Sequence, residues 1–208
     1  MRRGEKMSNL SNAKIYGGIG ALLMLVGGFI PAVGGIIPLI GLILVFIAVK
    51  NIADETNDES IFKNYLWYFV VSIIAMVVVF GIFIASFGAA GGFSILSMMQ
   101  MQGGQTVNPE DITGLVGNMM DGCLAALVIG WILMIVATLF LRKSFNSIAE
   151  HTGVKLFATT GLLFFVGAIT LIILIGAFIL LIALILEIVA FFSLPETLPK
   201  ATPSAAES

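Results

Sequence analysis

Four long stretches of the chain, residues 15–49, 64–109, 122–141 and 156–186, contain no charged side chain. Polar and charged residues collect in the short segments between them. Apolar runs of this length predict helices that cross a bilayer, since one span takes about 20 residues at 1.5 Å rise across roughly 30 Å of hydrocarbon. Residues 122–141 fit one crossing, whereas 15–49 and 156–192 are each too long for one. A single helix over 156–194 would reach roughly 58 Å, about twice the hydrocarbon thickness.

Breakers divide the long runs. Pro31-Ala-Val-Gly-Gly35 favours a tight turn and makes the first run a helical hairpin. Its arms are short, so either Lys14 and Lys50 complete them by snorkelling or the hairpin only dips into the membrane. The third helix begins near Ile61, carries Tyr65, Trp67 and Tyr68 as an aromatic belt, and ends at Gly88-Ala-Ala-Gly-Gly92. A helix start follows at Asn108-Pro-Glu-Asp111, with Asn as N-cap, Pro in the first turn and acids at the positive dipole end. It leads into the fourth span, and the last run parts near Gly176. The expected spans are 15–31, 35–50, 61–87, 121–141, 156–175 and 177–194, one transmembrane domain over 15–194. Residues 1–14 form a leading segment and 195–208 a flexible tail.

All ten basic residues fall on one side of this threading. Arg2, Arg3, Lys6 and Lys14 precede the first span, Lys50 and Lys63 flank one connection, Arg142, Lys143 and Lys155 another, and Lys200 lies in the tail. Retained positive charge marks the cytoplasmic side. The expected fold class is therefore all-α: a polytopic integral membrane protein of about six transmembrane helices in the cell membrane, both termini cytoplasmic. The basic start resembles a signal peptide, but the apolar run continues through Gly27, Gly28 and Pro31 without a small-x-small cleavage site, so it reads as a retained helix. Met7 is an alternative start, with Ser8 onward opening the domain.

Composition agrees. Hydrophobic residues make up 59% of the 208-residue chain and charged ones 11%, against roughly 45–50% and 25% in soluble domains. Lipid must solvate much of such a surface. A net charge of −2 points to no nucleic-acid partner. Cys123, the single cysteine, excludes an intramolecular disulfide and a cysteine-based metal site. An internal echo joins Asn51-Ile-Ala-Asp-Glu-Thr56 to Ser147-Ile-Ala-Glu-His-Thr152. Each follows an apolar span and precedes another, as in the parallel repeats of some transporters; convergence at helix ends is the simpler alternative.

Several segments resemble one uncharacterised, mainly archaeal membrane-protein family, domain of unknown function number 996. They are Ser11-Asn-Ala-Lys-Ile-Tyr-Gly-Gly-Ile-Gly20, Leu39-Ile-Gly-Leu-Ile-Leu-Val-Phe-Ile-Ala-Val-Lys50, Ser60-Ile-Phe-Lys-Asn-Tyr-Leu66, Thr152-Gly-Val-Lys-Leu-Phe157 and Val189-Ala-Phe-Phe-Ser-Leu-Pro195. The likeness spans roughly Ser8 to Glu196. It implies a small multi-pass prokaryotic membrane protein and supplies no activity or site.

Glu187 is the sharpest candidate for chemistry, the one ionisable residue well inside an apolar stretch. A carboxylate in hydrocarbon costs roughly 2–3 kcal/mol on insertion scales, so such residues usually face a cavity or partner. It reads either as a site for a proton or cation during transport, or as a side chain reaching headgroups or a base at the inner interface. Small residues at four-residue spacing, Gly122, Ala126 and Gly130 on the fourth helix and Gly81, Ala85 and Ala89 on the third, predict close helix packing. That packing is expected within one protomer, with a homo-oligomer as the alternative. Asp54, Glu55, Asp58 and Glu59 read as a solvated loop rather than a divalent-cation site. Glu110, Asp111 and Asp121 read as helix-capping and boundary acids. His151 reads as a solvated loop side chain. The methionines 98, 99, 101, 119 and 120 read as helix-interface filler rather than copper(I) ligands.

No catalytic, cofactor-binding or metal set emerges, so the expectation is a protein that is not an enzyme. Two functions stay open. The one favoured is a non-catalytic membrane scaffold or accessory subunit with a membrane-protein partner. The alternative is a small transporter or channel component using Glu187 for proton or cation binding. The lipid bilayer is a partner in both.

Overall fold

The computed structural model describes residues 9–27, 36–89, 91–92 and 109–198. Among them the chain is helical: α1 (Asn9–Gly27), α2 (Ile36–Thr56), α3 (Glu59–Ala89), α4 (Pro109–Thr152), α5 (Leu156–Thr170), a 3₁₀ turn (Leu171–Ile173) and α6 (Ile175–Phe192). Six helices are long and apolar enough to cross a membrane, as a polytopic membrane protein requires. The turn expected at Pro31–Gly35, the N-cap Asn108 and Met98, Met99 and Met101 lie outside the described residues.

Two boundaries differ from the sequence reading. The fourth span is part of one 44-residue helix that starts at Pro109 and runs on to Thr152. No glycine or proline interrupts it after Pro109 strongly enough to offset its continuous backbone ladder. The last run breaks at Leu174, not at Gly176. Leu174 takes a left-handed conformation (φ 62°), and its N–H bonds the Leu171 carbonyl. Gly176 serves the hairpin differently: a Cβ there would run into the Gly167 carbonyl and the Leu171 backbone.

Contacts divide the chain into two compact units, one from the described residues up to Phe69 with those from Ala137 onward, the other from Val70–Val136. In the first, each helix touches the next and the last closes on the first. α1 meets α2 where Gly20 and Gly41 bring their backbones together. Phe46 of α2 packs on Phe62 of α3 at 5.1 Å. Ser144 of α4 donates to the Ile61 carbonyl of α3 at 2.8 Å. The Phe145 ring of α4 meets Phe157 of α5 edge-on at 5.5 Å, and Phe157 meets Phe191 of α6 at 5.0 Å. Phe191 then lies over Gly17 of α1, where any Cβ would collide with its ring. In the second unit Gly122 and Gly130 of α4 receive Ser86 and Val79 of α3.

The sequence echo carries over into local structure. Thr56 bonds back to the Ile52 carbonyl at 2.8 Å and Thr152 to the Ile148 carbonyl at 2.7 Å. A positive φ follows each, Asn57 at 54° and Gly153 at 74°, where Asn and Gly tolerate the left-handed region. The match continues upstream at the same 96-residue offset. Gly41, Val45, Ala48, Val49, Ile52 and Ala53 of α2 are buried, and so are their counterparts Ala137, Leu141, Ser144, Phe145, Ile148 and Ala149 of α4.

Candidate functional site

α6 is apolar all round except at one position, so its two faces must be told apart by packing. Gly176, Ala183, Glu187, Ala190 and Phe191 are buried, one inward stripe at helical spacing. Phe178, Ile182, Ile185 and Val189 stand exposed on the other side. Glu187 belongs to the inward stripe and is only 3% exposed. Among the described residues no Lys, Arg or His pairs with it.

The hairpin register sets Thr160 at the level of Glu187, with no hydrogen bond between them. Gly167 of α5 meets Leu180 of α6. Seven residues back along α5 from Gly167 is Thr160, and seven forward along α6 from Leu180 is Glu187. Seven residues are about two helical turns, so both stay on the facing sides. The Phe157–Phe191 ring contact, one turn beyond, holds the same register. Thr160 is fully buried, and its Oγ1 is the buried side-chain polar atom without a hydrogen bond among the described residues. From α3, the buried Tyr65 lies within electrostatic reach of Glu187. Its ring packs on Phe46 and Tyr68 at 6.2 and 5.3 Å. A buried carboxyl and a buried, unbonded hydroxyl thus lie in an aromatic and aliphatic core, with a phenol in electrostatic reach of the carboxyl and no basic side chain paired with it among the described residues. A carboxyl is the kind of group that binds a proton or cation inside a membrane.

The other sequence candidates fall elsewhere. Gly122 and Ala126 are buried and Gly130 half-buried against α3. Gly81, Ala85 and Ala89 face outward instead, and a Cβ on Gly81 would meet nothing within 4 Å. The acids between α2 and α3 are absorbed by helix ends: Asp54 pairs with Lys50 at 3.3 Å, and Asp58 accepts from the Ser60 N–H at 2.9 Å. His151, exposed, is bonded to the Ser147 carbonyl at 2.8 Å and stands 3.8 Å from Asp58. No group of three or more His, Cys, Asp or Glu able to hold a metal occurs among the described residues. Cys123 and Met120 are exposed.

Sequence reading missed Thr160 and took Tyr65 for an interfacial aromatic; Trp67, stacked on Phe140 at 6.1 Å and half exposed, fits that role better. It also missed the contacts at Gly17, Gly20, Gly41 and Gly161. One signal was available: these glycines lie within helices, where glycine is disfavoured unless backbones must approach.

Comparison with known proteins gives a family and no activity. The family described as "Protein of unknown function (DUF996)" matches residues 37–185, a stretch that includes Tyr65 and Thr160 and stops two residues short of Glu187. An uncharacterised protein of Methanocaldococcus jannaschii is 36% identical over 189 residues, covering 91% of this chain and 95% of its own. No solved structure matches.

Proposed function

Because the chain belongs to the DUF996 family of proteins of unknown function, we propose its role from its own geometry: a small membrane transporter or channel component in which Glu187 binds and releases a proton or cation. The observation that carries this is the burial of Glu187 on the inward face of α6, level with Thr160 and near Tyr65, without a basic partner among the described residues. Keeping a carboxyl in such a place is costly, and intramembrane acids of this kind mark ion pathways. The reading is non-catalytic. It sets the protein in the cell membrane with both termini in the cytoplasm, on the strength of the one-sided distribution of Lys and Arg.

Flux tests it. Purified protein in liposomes loaded with a pH-sensitive dye, energised by a potassium diffusion potential, should acidify or alkalinise the lumen. Glu187→Gln should slow that flux about a hundredfold or more, the scale on which a positioned proton-transfer group contributes. Equal rates in the two proteins would remove Glu187 from the mechanism.

A second reading has its own support. The face of α3 carrying Gly81, Ala85 and Ala89 is small, apolar and open. Faces of that kind admit another helix closely in lipid. A membrane scaffold or accessory subunit would use it to hold a second copy or another membrane protein. Native purification in mild detergent would then yield a stoichiometric complex that Gly81→Leu breaks.

A further inference from the structure

α6 repeats the inward face that α2 and α4 share. Its buried Ala183, Glu187, Ala190, Phe191 and Leu194 stand 46 residues on from Ala137, Leu141, Ser144, Phe145 and Ile148 of α4. They stand 142 on from Gly41, Val45, Ala48, Val49 and Ile52 of α2. The outward faces agree as well, with Ile43, Leu139 and Ile185 all exposed. So do contacts with neighbouring helices. A Cβ on Gly27 of α1 would strike Pro38 of α2, and one on Gly167 of α5 would strike Leu180 of α6, 142 residues beyond Pro38. Phe145 packs on Phe157 of α5, and its counterpart Phe191 lies over Gly17 of α1. α1 is antiparallel to both its neighbours, with Gly20 at Gly41 on one side and Gly17 at Phe191 on the other. α5 lies likewise between α4 and α6. The three counterpart helices thus run in one direction, and matching residues share about one depth.

Two of these sets point into the interior rather than at a neighbouring helix. Gly41 faces α1 at Gly20, and Ser144 faces α3 at the Ile61 carbonyl. Phe145 and Phe191 face the helix on the other side. At 3.6 residues per turn, Glu187 and Leu194 fall about 40° and 20° round from Ala183, between these two directions. In keeping with that, Glu187 lies within electrostatic reach of Tyr65 on α3, a helix that packs on α2 and α4. Val45, Leu141 and Glu187 therefore make one level of the interior. Ile52, Ile148 and Leu194 make another, two turns or about 10 Å nearer the end where Lys14 meets the Leu194 carbonyl. This second level is 0–1% exposed and belongs to the same core cluster as Val45 and Leu141. Seven residues to the other side of Glu187, Leu180 and its counterpart Pro38 are only half-buried.

We propose that Ile52, Ile148 and Leu194 form an aliphatic gate between Glu187 and the basic ends of the helices, so that an ion on the carboxyl reaches that side only when the three side chains part. This rests on the reading of Glu187 as an ion-binding carboxyl. Packed aliphatic side chains offer a charge or a polar group no partner, which makes passage between them costly. The three leaves are not alike. Ile52 and Ile148 sit inside long helices. Leu194 lies just past the end of α6, held by its N–H on the Phe191 carbonyl at 3.2 Å and by Lys14 on its own carbonyl at 3.4 Å. Moving Leu194 breaks these two bonds and leaves α6 wound, so Leu194 is the leaf that opens.

Thiol labelling tests the gate without requiring transport. Membrane vesicles carry the full chain with Glu187→Cys on a Cys123→Ala background. A charged methanethiosulfonate is applied from the side that labels Lys155→Cys in a parallel sample. The thiol at position 187 should react slowly. Adding Ile148→Ser should raise the rate at least about tenfold, because shrinking a packed core side chain weakens that packing by more than a factor of ten in rate requires. Leu194→Ser should do the same, while Leu162→Ser on the exposed face of α5 should leave the rate as it was. Ile148→Ala replaces Ile148→Ser if the latter elutes as aggregate. Fast labelling without any gate substitution, or an unchanged rate in both folded gate variants, would overturn the gate. The transport reading falls by a different result, equal flux in the wild type and Glu187→Gln, so the two fail separately.

Discussion

At position 187 a carboxyl stands where packing alone would favour an apolar side chain. The neighbours along the inward face of α6 are Ala183, Ala190 and Phe191, and the ring of Phe191 is held between Gly17 and Phe157. A leucine would suit such surroundings better than a carboxyl, since burying a polar group without full hydrogen bonding costs about 1–3 kcal/mol. Glu187→Leu is therefore expected to melt in detergent at the wild-type temperature or a few degrees above it while losing flux. A drop of several degrees would mean that the carboxyl is structural. Half of this site was legible in the sequence. Glu187 stands out because it is the lone charge in its apolar run. Thr160 does not, because Thr in an apolar helix ordinarily bonds its own backbone. That its buried hydroxyl makes no such bond is a fact of tertiary packing that no local pattern contains.

At the scale of the element, the α5–α6 hairpin shows how a tight reversal is made without a glycine at the strained position. Leu174 adopts φ 62° and is 76% exposed, so its side chain contributes little that glycine would forfeit. A non-glycine residue in that region costs roughly 1–2 kcal/mol, and glycine returns about 0.5–1 kcal/mol of that in chain entropy. Leu174→Gly should thus stabilise the protein by up to about 1 kcal/mol. Gly176→Leu should destabilise it by about 1–3 kcal/mol through overpacking against Gly167 and Leu171. Thermal melts of the two variants in one detergent check both signs. The same comparison explains why the sequence reading misplaced the break: Gly176 looks like a turn residue, yet its small size is needed for helix approach. Element existence was legible because apolar length in lipid decides it. The start of α4 was legible at Asn108-Pro-Glu-Asp111, but its continuation past Leu141 to Thr152 was not, because Arg142 and Lys143 mark the end of the apolar run although polar residues continue a helix as readily as they end one.

At the scale of the whole molecule, two structural observations bear on sidedness. Lys14 near the start of α1 reaches the Leu194 carbonyl just past the end of α6 at 3.4 Å, so these two ends lie on the same side, as an even number of crossings demands. The α2–α3 and α4–α5 connections are copies of one another, from the back-bonded threonine to the positive φ that follows it. Copies two spans apart have the same orientation in a membrane, and Lys50, Lys63, Arg142, Lys143 and Lys155 flank them. Several of these cations lie over aromatic rings, Lys50 over Phe62 at 5.1 Å and Lys143 over Phe140 at 5.8 Å, which suits an interface where a charged head seeks water above an apolar stem. If positive charge is retained inside, both connections are cytoplasmic and Leu174 is outside. On a Cys123→Ala background, an impermeant maleimide applied to intact cells should label Leu174→Cys. It should reach Glu59→Cys and Lys155→Cys only after the membrane is opened. Labelling of all three from outside would invert the orientation. A protected Leu174→Cys would mean that α5 and α6 enter the bilayer without crossing it, and a proton on Glu187 would then have access to one face alone.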